Sequence, residues 1–176
     1  MGYPTWGVMS QRPSPTTGSR ATAHRLRDVS GDDVQVASFD ELDPRTAYSL
    51  WRLREAVFVV EQECPYPELD GRDLEVGTRH VWVAEGTAPV AYLRVLDDGA
   101  EARIGRVLVA SAHRGRGLAE RLMHRAHEVV GERTCRLDAQ SYLSRWYARF
   151  GYEQSGPEFV EDGIPHVPMR RHALQR

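Results

Sequence analysis

The sequence predicts an α/β domain in which a mixed sheet is covered by helices. Three observations carry that prediction. Apolar runs of strand length crowd residues 80–109 and are separated by Gly, Pro and Asp turns. A helical stripe of Leu118, Leu122, Ala126 and Val129 follows them directly. Strand-like and helix-like segments then alternate to residue 169. At 176 residues the chain has the size of one domain, long enough to bury a core without staples.

Residues 1–34 are rich in Pro, Thr, Ser, Gly and Arg without sustained periodicity, and read as a flexible extension. The folded unit is expected over 35–172, with a tail at 173–176. Val34, Val36 and Ser38 alternate with Gln35 and Ala37, which suits a short first strand. Asp43-Pro44 is a helix start, an Asp cap with Pro at the first helical position. Ala47, Leu50, Trp51, Val57 and Phe58 extend that helix to about Val60. Cys64-Pro65-Tyr66-Pro67 ends it and opens a loop to about Arg79. Three strands follow: His80 to Glu85, Val90 to Leu96 and Ala102 to Val109. Gly105 inside the third suggests a bulge or a close backbone approach. The helix from Leu118 closes at Gly131. Cys135 to Ala139 reads as a strand, Leu143 to Phe150 as a short helix, and Tyr152 to Val160 with Ile164 to Met169 as a closing hairpin.

Composition excludes several functions. Twenty-three basic against 25 acidic residues give a net charge of −2, which argues against a nucleic-acid or anionic-membrane coat. Every basic residue is Arg, so a Walker lysine and a pyridoxal Schiff base are both excluded. Asn is absent too, which removes N-glycosylation and any Cys-His-Asn triad. Cys64 and Cys135 make neither a disulfide framework nor a zinc cage, and the histidines show no ligand grouping, so no metal is expected. Met1 to Ser10 lacks a signal-peptide pattern, and no apolar window approaches the ~20 residues of a membrane span. The expectation is a soluble cytoplasmic protein in a reducing compartment.

The sharpest motif is Arg114-Gly115-Arg116-Gly117-Leu118-Ala119, set between a strand and a helix. Such a junction aims several unpaired N–H groups in one direction, and the helix dipole adds about 0.3–1 kcal/mol for an anion. Gly115 and Gly117 let the chain curl and a ligand approach the backbone. Such a turn can hold a pyrophosphate by backbone alone, without Lys, and Arg114 and Arg116 can add charge from the rim. A Gly-rich turn with solvated Arg side chains is the plain alternative. A nucleic-acid patch fits less well, for lack of interleaved aromatics.

At these residues the chain resembles the GCN5-related N-acetyltransferase (GNAT) superfamily, whose R/Q-x-x-G-x-G/A loop cradles the pyrophosphate of acetyl-coenzyme A. Val57 to Tyr66, Asp70-Gly71, Asp73-Leu74 and Glu161-Asp162-Gly163-Ile164-Pro165-His166 resemble its ElaA-like subfamily. The resemblance implies a mixed, mostly antiparallel central sheet with splayed central strands flanked by helices. It also implies acetyl-coenzyme A as co-substrate, with direct transfer to an amine in a ternary complex. The loop residues Arg114 to Ala119 and the backbone of Leu108 and Val109 become the coenzyme contacts. Tyr147, in Ser144-Arg145-Trp146-Tyr147-Ala148-Arg149-Phe150-Gly151-Tyr152, becomes the general acid; a phenol of pKa about 10 is matched to a thiolate leaving group.

The base is less determined. Glu61 ends the first helix beside the acceptor loop and is the leading carboxylate; His80 and a water chain are alternatives. Arg106, Gln140 and His166 are expected to line the acceptor side, Arg106 being either ion-paired or facing a pocket. Cys64 reads as structural rather than nucleophilic. Glu61, Glu63, Glu68, Asp70 and Asp73 are expected to attract a cationic amine. The acceptor itself stays open between a polyamine, a metabolite amine and a protein amine, and a sheet-edge homodimer is compatible with the pattern. A non-catalytic acyl-coenzyme A sensor or interaction module is the alternative function.

Overall fold

The computed structural model of the chain describes residues 34–173. The extension expected over 1–34 and the tail at 173–176 thus lie outside the described residues, save Val34 and Ala173. Eight strands form one sheet: β1 Gln35–Ala37, β2 Arg79–Glu85, β3 Ala88–Asp97, β4 Glu101–Val109, β5 Thr134–Gln140, β6 Glu153–Gln154, β7 Phe159–Glu161 and β8 Ile164–Arg171. Their order is β1-β2-β3-β4-β5-β8-β6, with β7 also on β8. Every pairing is antiparallel except β4 with β5. Helices α1 Pro44–Arg54 and α2 Leu118–Val130 cover opposite faces, and α3 Ser144–Ala148 is a single turn and a half.

The elements form where the local chemistry directs. The Asp43 carboxylate accepts from the amides of Arg45 and Thr46 at 3.0 and 3.1 Å, with Pro44 at the first helical position. The buried stripe of α2 is Leu118, Leu122, Met123, Ala126 and Val130, with Val129 at its edge. It packs on Val81, Val83, Leu93, Val95, Ala102 and Ile104 from three strands. The other face carries Trp82, Tyr92 and Leu108 against Leu50 and Val57.

Two expectations need correction, and one irregularity finds its place. The first helix stays α-helical only to Arg54; residues Glu55–Glu61 continue as a wider π-helical turn. That turn holds Val57, Val59 and Val60, whose branched side chains crowd a tight helix, and such wide turns gather at functional sites. The strand expected from Tyr152 to Val160 is broken into β6 and β7 around Ser155 to Glu158. Pro157 removes a donor there, and Gly156 lies so close to β8 that an added Cβ would stand 2.9 Å from Pro168 Cγ. The bulge of β4, which Gly105 signals without locating, sits at Arg106. Tyr92 pairs with Leu108 while Arg94 pairs with Gly105, so β4 holds one extra residue, and Arg106 has φ +56°.

That bulge reverses the parity of β4. Before it, Ala102 and Ile104 face α2; after it, Val107 and Val109 pack toward α2 and Leu108 turns toward α1. A one-residue shift swaps faces because strand side chains alternate.

Candidate active site

β4 and β5 pair over only three residues, Glu101 to Arg103 with Thr134 to Arg136. Beyond them β4 stays with β3 and β5 stays with β8, so the two central strands splay. The gap opens into two cavities. The larger, of about 860 Å³, lies on the α1 face between the π-helical turn, β4, β5 and the β7–β8 hairpin. The smaller, of about 380 Å³, lies at the turn into α2. They share one wall: Val107, Leu108, Val109, Arg114, Leu143 and Tyr147.

The smaller cavity is lined by a glycine turn with unpaired amides. Gly115 and Gly117 adopt φ +75° and +73°, which curls the chain so that α2 begins without a side-chain cap. Among the described residues, the amides of Gly115 through Glu120 meet no protein acceptor. An added Cβ at either glycine would meet nothing within 4 Å, so the space above the turn is open. Unsatisfied donors, a helix dipole and an open approach are what a diphosphate requires. Gly115, Gly117, Leu118 and Ala119 all line this cavity. The arginine side chains do otherwise. Arg114 Nη2 donates to Glu61 Oε1 at 2.5 Å and its Nε to the Val109 carbonyl at 3.1 Å. Arg116 pairs with Glu85 at 2.6 Å, and its side chain lines neither cavity.

Tyr147 is 6% exposed and stands between the cavities. Trp146 packs edge-on against its ring at 4.8 Å between centroids. Among the described residues nothing hydrogen-bonds its phenol. Burial, then the neighbouring Tyr142 phenol, push its pKa up, so it stays protonated and able to donate. Glu61, Arg106, Gln140 and His166 all line the larger cavity. Gln140 and His166 face each other across β5 and β8, and His166 stacks on Phe159 with centroids 5.8 Å apart. Gln140 Nε2 reaches Gln62 Oε1 at 3.5 Å. His166 Nδ1 donates to the Ile164 carbonyl at 2.8 Å, leaving Nε2 as its acceptor nitrogen.

Beneath the larger cavity lies a buried network that the sequence did not reveal. Arg54, fully buried, donates to Glu68 and Asp73 at 2.6 Å each. Glu68 also receives Arg106 Nε at 2.8 Å and the Tyr66 hydroxyl. Arg94 binds Asp70 at 2.6 and 2.8 Å and Asp73 at 2.9 Å. Burial alone would raise the carboxyls of Asp70 and Asp73, but the bonds from Arg94 and Arg54 hold both below the usual carboxylate range. Three guanidinium groups thus neutralise Glu68, Asp70 and Asp73, and Glu61 is matched by Arg114. The acidic cluster expected to attract a cationic amine is therefore largely spent within the fold, with Glu63 outside the larger cavity's lining.

His80 is 1% exposed, with Nδ1 2.8 Å from the Tyr92 hydroxyl and Nε2 3.3 Å from the Asp73 carbonyl. Burial lowers its pKa, and it lines neither cavity, so it is a core histidine. Cys64 is buried, and burial pushes its thiol up, away from a reactive thiolate. Among the described residues no three His, Cys, Asp or Glu side chains converge as a metal site, and no helix is long and apolar enough to cross a membrane.

Comparison with known proteins agrees with this architecture. The profile of the Acetyltransferase (GNAT) domain matches residues 52–173. A UPF0039 protein of Mycobacterium tuberculosis is 48% identical over 136 residues, 74% of this chain and 87% of that relative. The crystal structure of an acyl-CoA N-acyltransferase from Pseudomonas aeruginosa is 39% identical and superposes with a TM-score of 0.76, covering 79% of this chain and 98% of that one. The crystal structure of Escherichia coli ElaA is 37% identical with a TM-score of 0.76, covering 80% and 99%.

Proposed function

Because the chain belongs to the GNAT acetyltransferase family, we propose that it moves an acetyl group from acetyl-coenzyme A directly to an amine held in the larger cavity. One observation carries the reading: a single wall, the end of β4 with Tyr147, is common to an anion-binding turn and to a cavity large enough for an acceptor.

The amides of Gly115 to Glu120 would hold the coenzyme's diphosphate, with Gly117, Leu118 and Ala119 at the helix mouth. Beyond Arg103 the splayed stretch of β4 has no partner strand on the β5 side, and there the backbone of Leu108, and of Val109 once the Arg114 bond to its carbonyl opens, would receive the pantetheine arm and thioester. When bound, the coenzyme supplies an activated acyl group on sulfur.

The protein's own groups manage position and protons. Leu108 and Leu143 wall the meeting point of the cavities and keep water from the acyl group. Tyr147 delivers its phenolic proton to the departing sulfur; its raised pKa keeps that proton in place until charge develops. Glu61 is the carboxylate at the seam, and we assign it the proton released by the amine, directly or through water, once the Arg114 pair opens. Arg106, Gln140 and His166 orient the acceptor. Cys64 and Cys135 are both free thiols, which supports a reducing, cytoplasmic setting.

The test combines a thiol-release assay over a panel of amines with calorimetric titration of coenzyme A. Coenzyme binding with amine-dependent release is expected. Tight coenzyme binding with no release for any amine would replace the transferase by an acyl-coenzyme A sensor.

A further inference from the structure

The acceptor side of the cavity contains a guanidinium, that of Arg106, whose outer edge is unused. Arg106 stands at the β4 bulge with φ +56°, a conformation that non-glycine residues seldom adopt and that persists where surrounding contacts enforce it. Its side chain is held from three directions. Nε sits on the Glu68 carboxylate at 2.8 and 3.0 Å. The guanidinium carbon lies 5.9 Å from the Phe58 ring centre and 5.5 Å from that of Tyr66. Glu68 is in turn fixed by the fully buried Arg54.

What remains free is the pair of Nη groups. Among the described residues neither donates to a protein acceptor; Asp70 Oδ2 is 3.8 Å from Nη2 and already holds Arg94. The residue lines the large cavity and is about one quarter exposed, so these donors open onto it. A flat guanidinium clamped in place with two parallel N–H donors free matches one ligand geometry best, the two oxygens of a carboxylate.

From this geometry we infer that the acceptor carries a carboxylate as well as the reacting amine, and that Arg106 receives it. The inference rests on the transferase reading and deepens it. Arg106 lies two residues before Leu108 across the bulge, so the two are closer than the roughly 7 Å that two extended residues would span. An amine delivered to the acyl group beside Leu108 and Val109 then has its carboxylate within a few ångströms, the spacing of a small amino acid. A surface lysine of a protein has no carboxylate at that spacing.

The test uses the intact protein with acetyl-coenzyme A and matched acceptors: a set of free amino acids and their carboxamides, compared at equal concentrations of the neutral amine because amidation makes the α-ammonium more acidic. Thiol release is expected to show kcat/KM at least tenfold higher for the acids, carried mainly by KM. Arg106→Gln should collapse that preference toward unity, with the affinity for coenzyme A measured by calorimetry unchanged. If that variant does not fold, the acid-to-amide ratio of the unaltered protein decides alone. Equal or faster release with the carboxamides overturns the carboxylate subsite and leaves the transferase reading intact. Release with neither set, nor with simple polyamines, overturns the transferase reading and this subsite with it.

Discussion

Replacing Glu68 with Ala should destabilise the fold more than any other single carboxylate change on this face. The side chain is 5% exposed and accepts from three donors: Arg54 Nε at 2.6 Å, Arg106 Nε at 2.8 Å and the Tyr66 hydroxyl. Breaking a buried ion pair from one side costs about 3–5 kcal/mol, because the partner charge is left behind. Arg54 keeps Asp73 and the Glu68 carbonyl, and Arg106 can reach water, so the lower end, about 3 kcal/mol, applies. For a domain of this size that lowers Tm by roughly 6–12 °C. Urea denaturation followed by circular dichroism measures it, with Glu75→Ala as control. Glu75 pairs with Arg72 at the surface, where such a pair is worth about 0–1 kcal/mol. Glu68→Gln keeps one oxygen acceptor and should fall between the two. A Glu68→Ala loss no larger than that of Glu75→Ala would refute the claim that this network anchors the bulge.

Other substitutions test the site. Tyr147→Phe should lower turnover at least tenfold and leave coenzyme affinity little changed in calorimetry; unchanged turnover would remove it as the acid. Gly117→Ala forces a side chain into φ +73° at a cost of about 1–2 kcal/mol, although its Cβ would touch nothing. Its coenzyme dissociation constant should rise by roughly tenfold through the distorted turn, and an unaltered constant would detach the turn from coenzyme binding. Acid should weaken the fold in two stages. Burial, then Arg171 and His124, lower His127 to about 4, below its unfolded value of 6.5, so the unfolded chain binds the extra proton. Stability therefore falls as pH drops from 6.5 toward 4, with His80 acting in the same sense. Asp70 and Asp73 have depressed folded values, so their contribution is present above about pH 4 and is lost as pH falls further. Urea midpoints measured from pH 8 to 3 should show both stages, and a flat profile from 7 to 5 would contradict the first.

What the sequence made legible was local. Asp43-Pro44 starts a helix by hydrogen bonds to residues two and three positions ahead, and the α2 stripe follows from 3.6-residue periodicity alone. The glycine turn was readable for the same reason, and its residues do line the smaller cavity. Contacts between distant positions were not readable. Glu68 meets Arg54 at a separation of 14 residues and Arg106 at 38, and nothing in spacing pairs them. Arg106 was seen as a residue needing a partner or a pocket; the fold gives it both. The acidic residues of the 61–73 segment look like a solvated or amine-attracting run in sequence because their arginine partners, Arg54, Arg94, Arg106 and Arg114, lie on α1, β3, β4 and the turn into α2. Gly105 signals a bulge or a close approach without locating it; pairing across β3 and β4 puts the extra residue at Arg106.

The main-chain amides at the start of α2 can be watched directly. Titrating coenzyme A into the isotopically labelled protein should move the amide nitrogen and proton resonances of Gly115 through Glu120 further than those of any other segment, with dephosphorylated pantetheine failing to do so. If coenzyme A binds and those six amides stay still, the diphosphate is held elsewhere and the assignment of this turn is wrong.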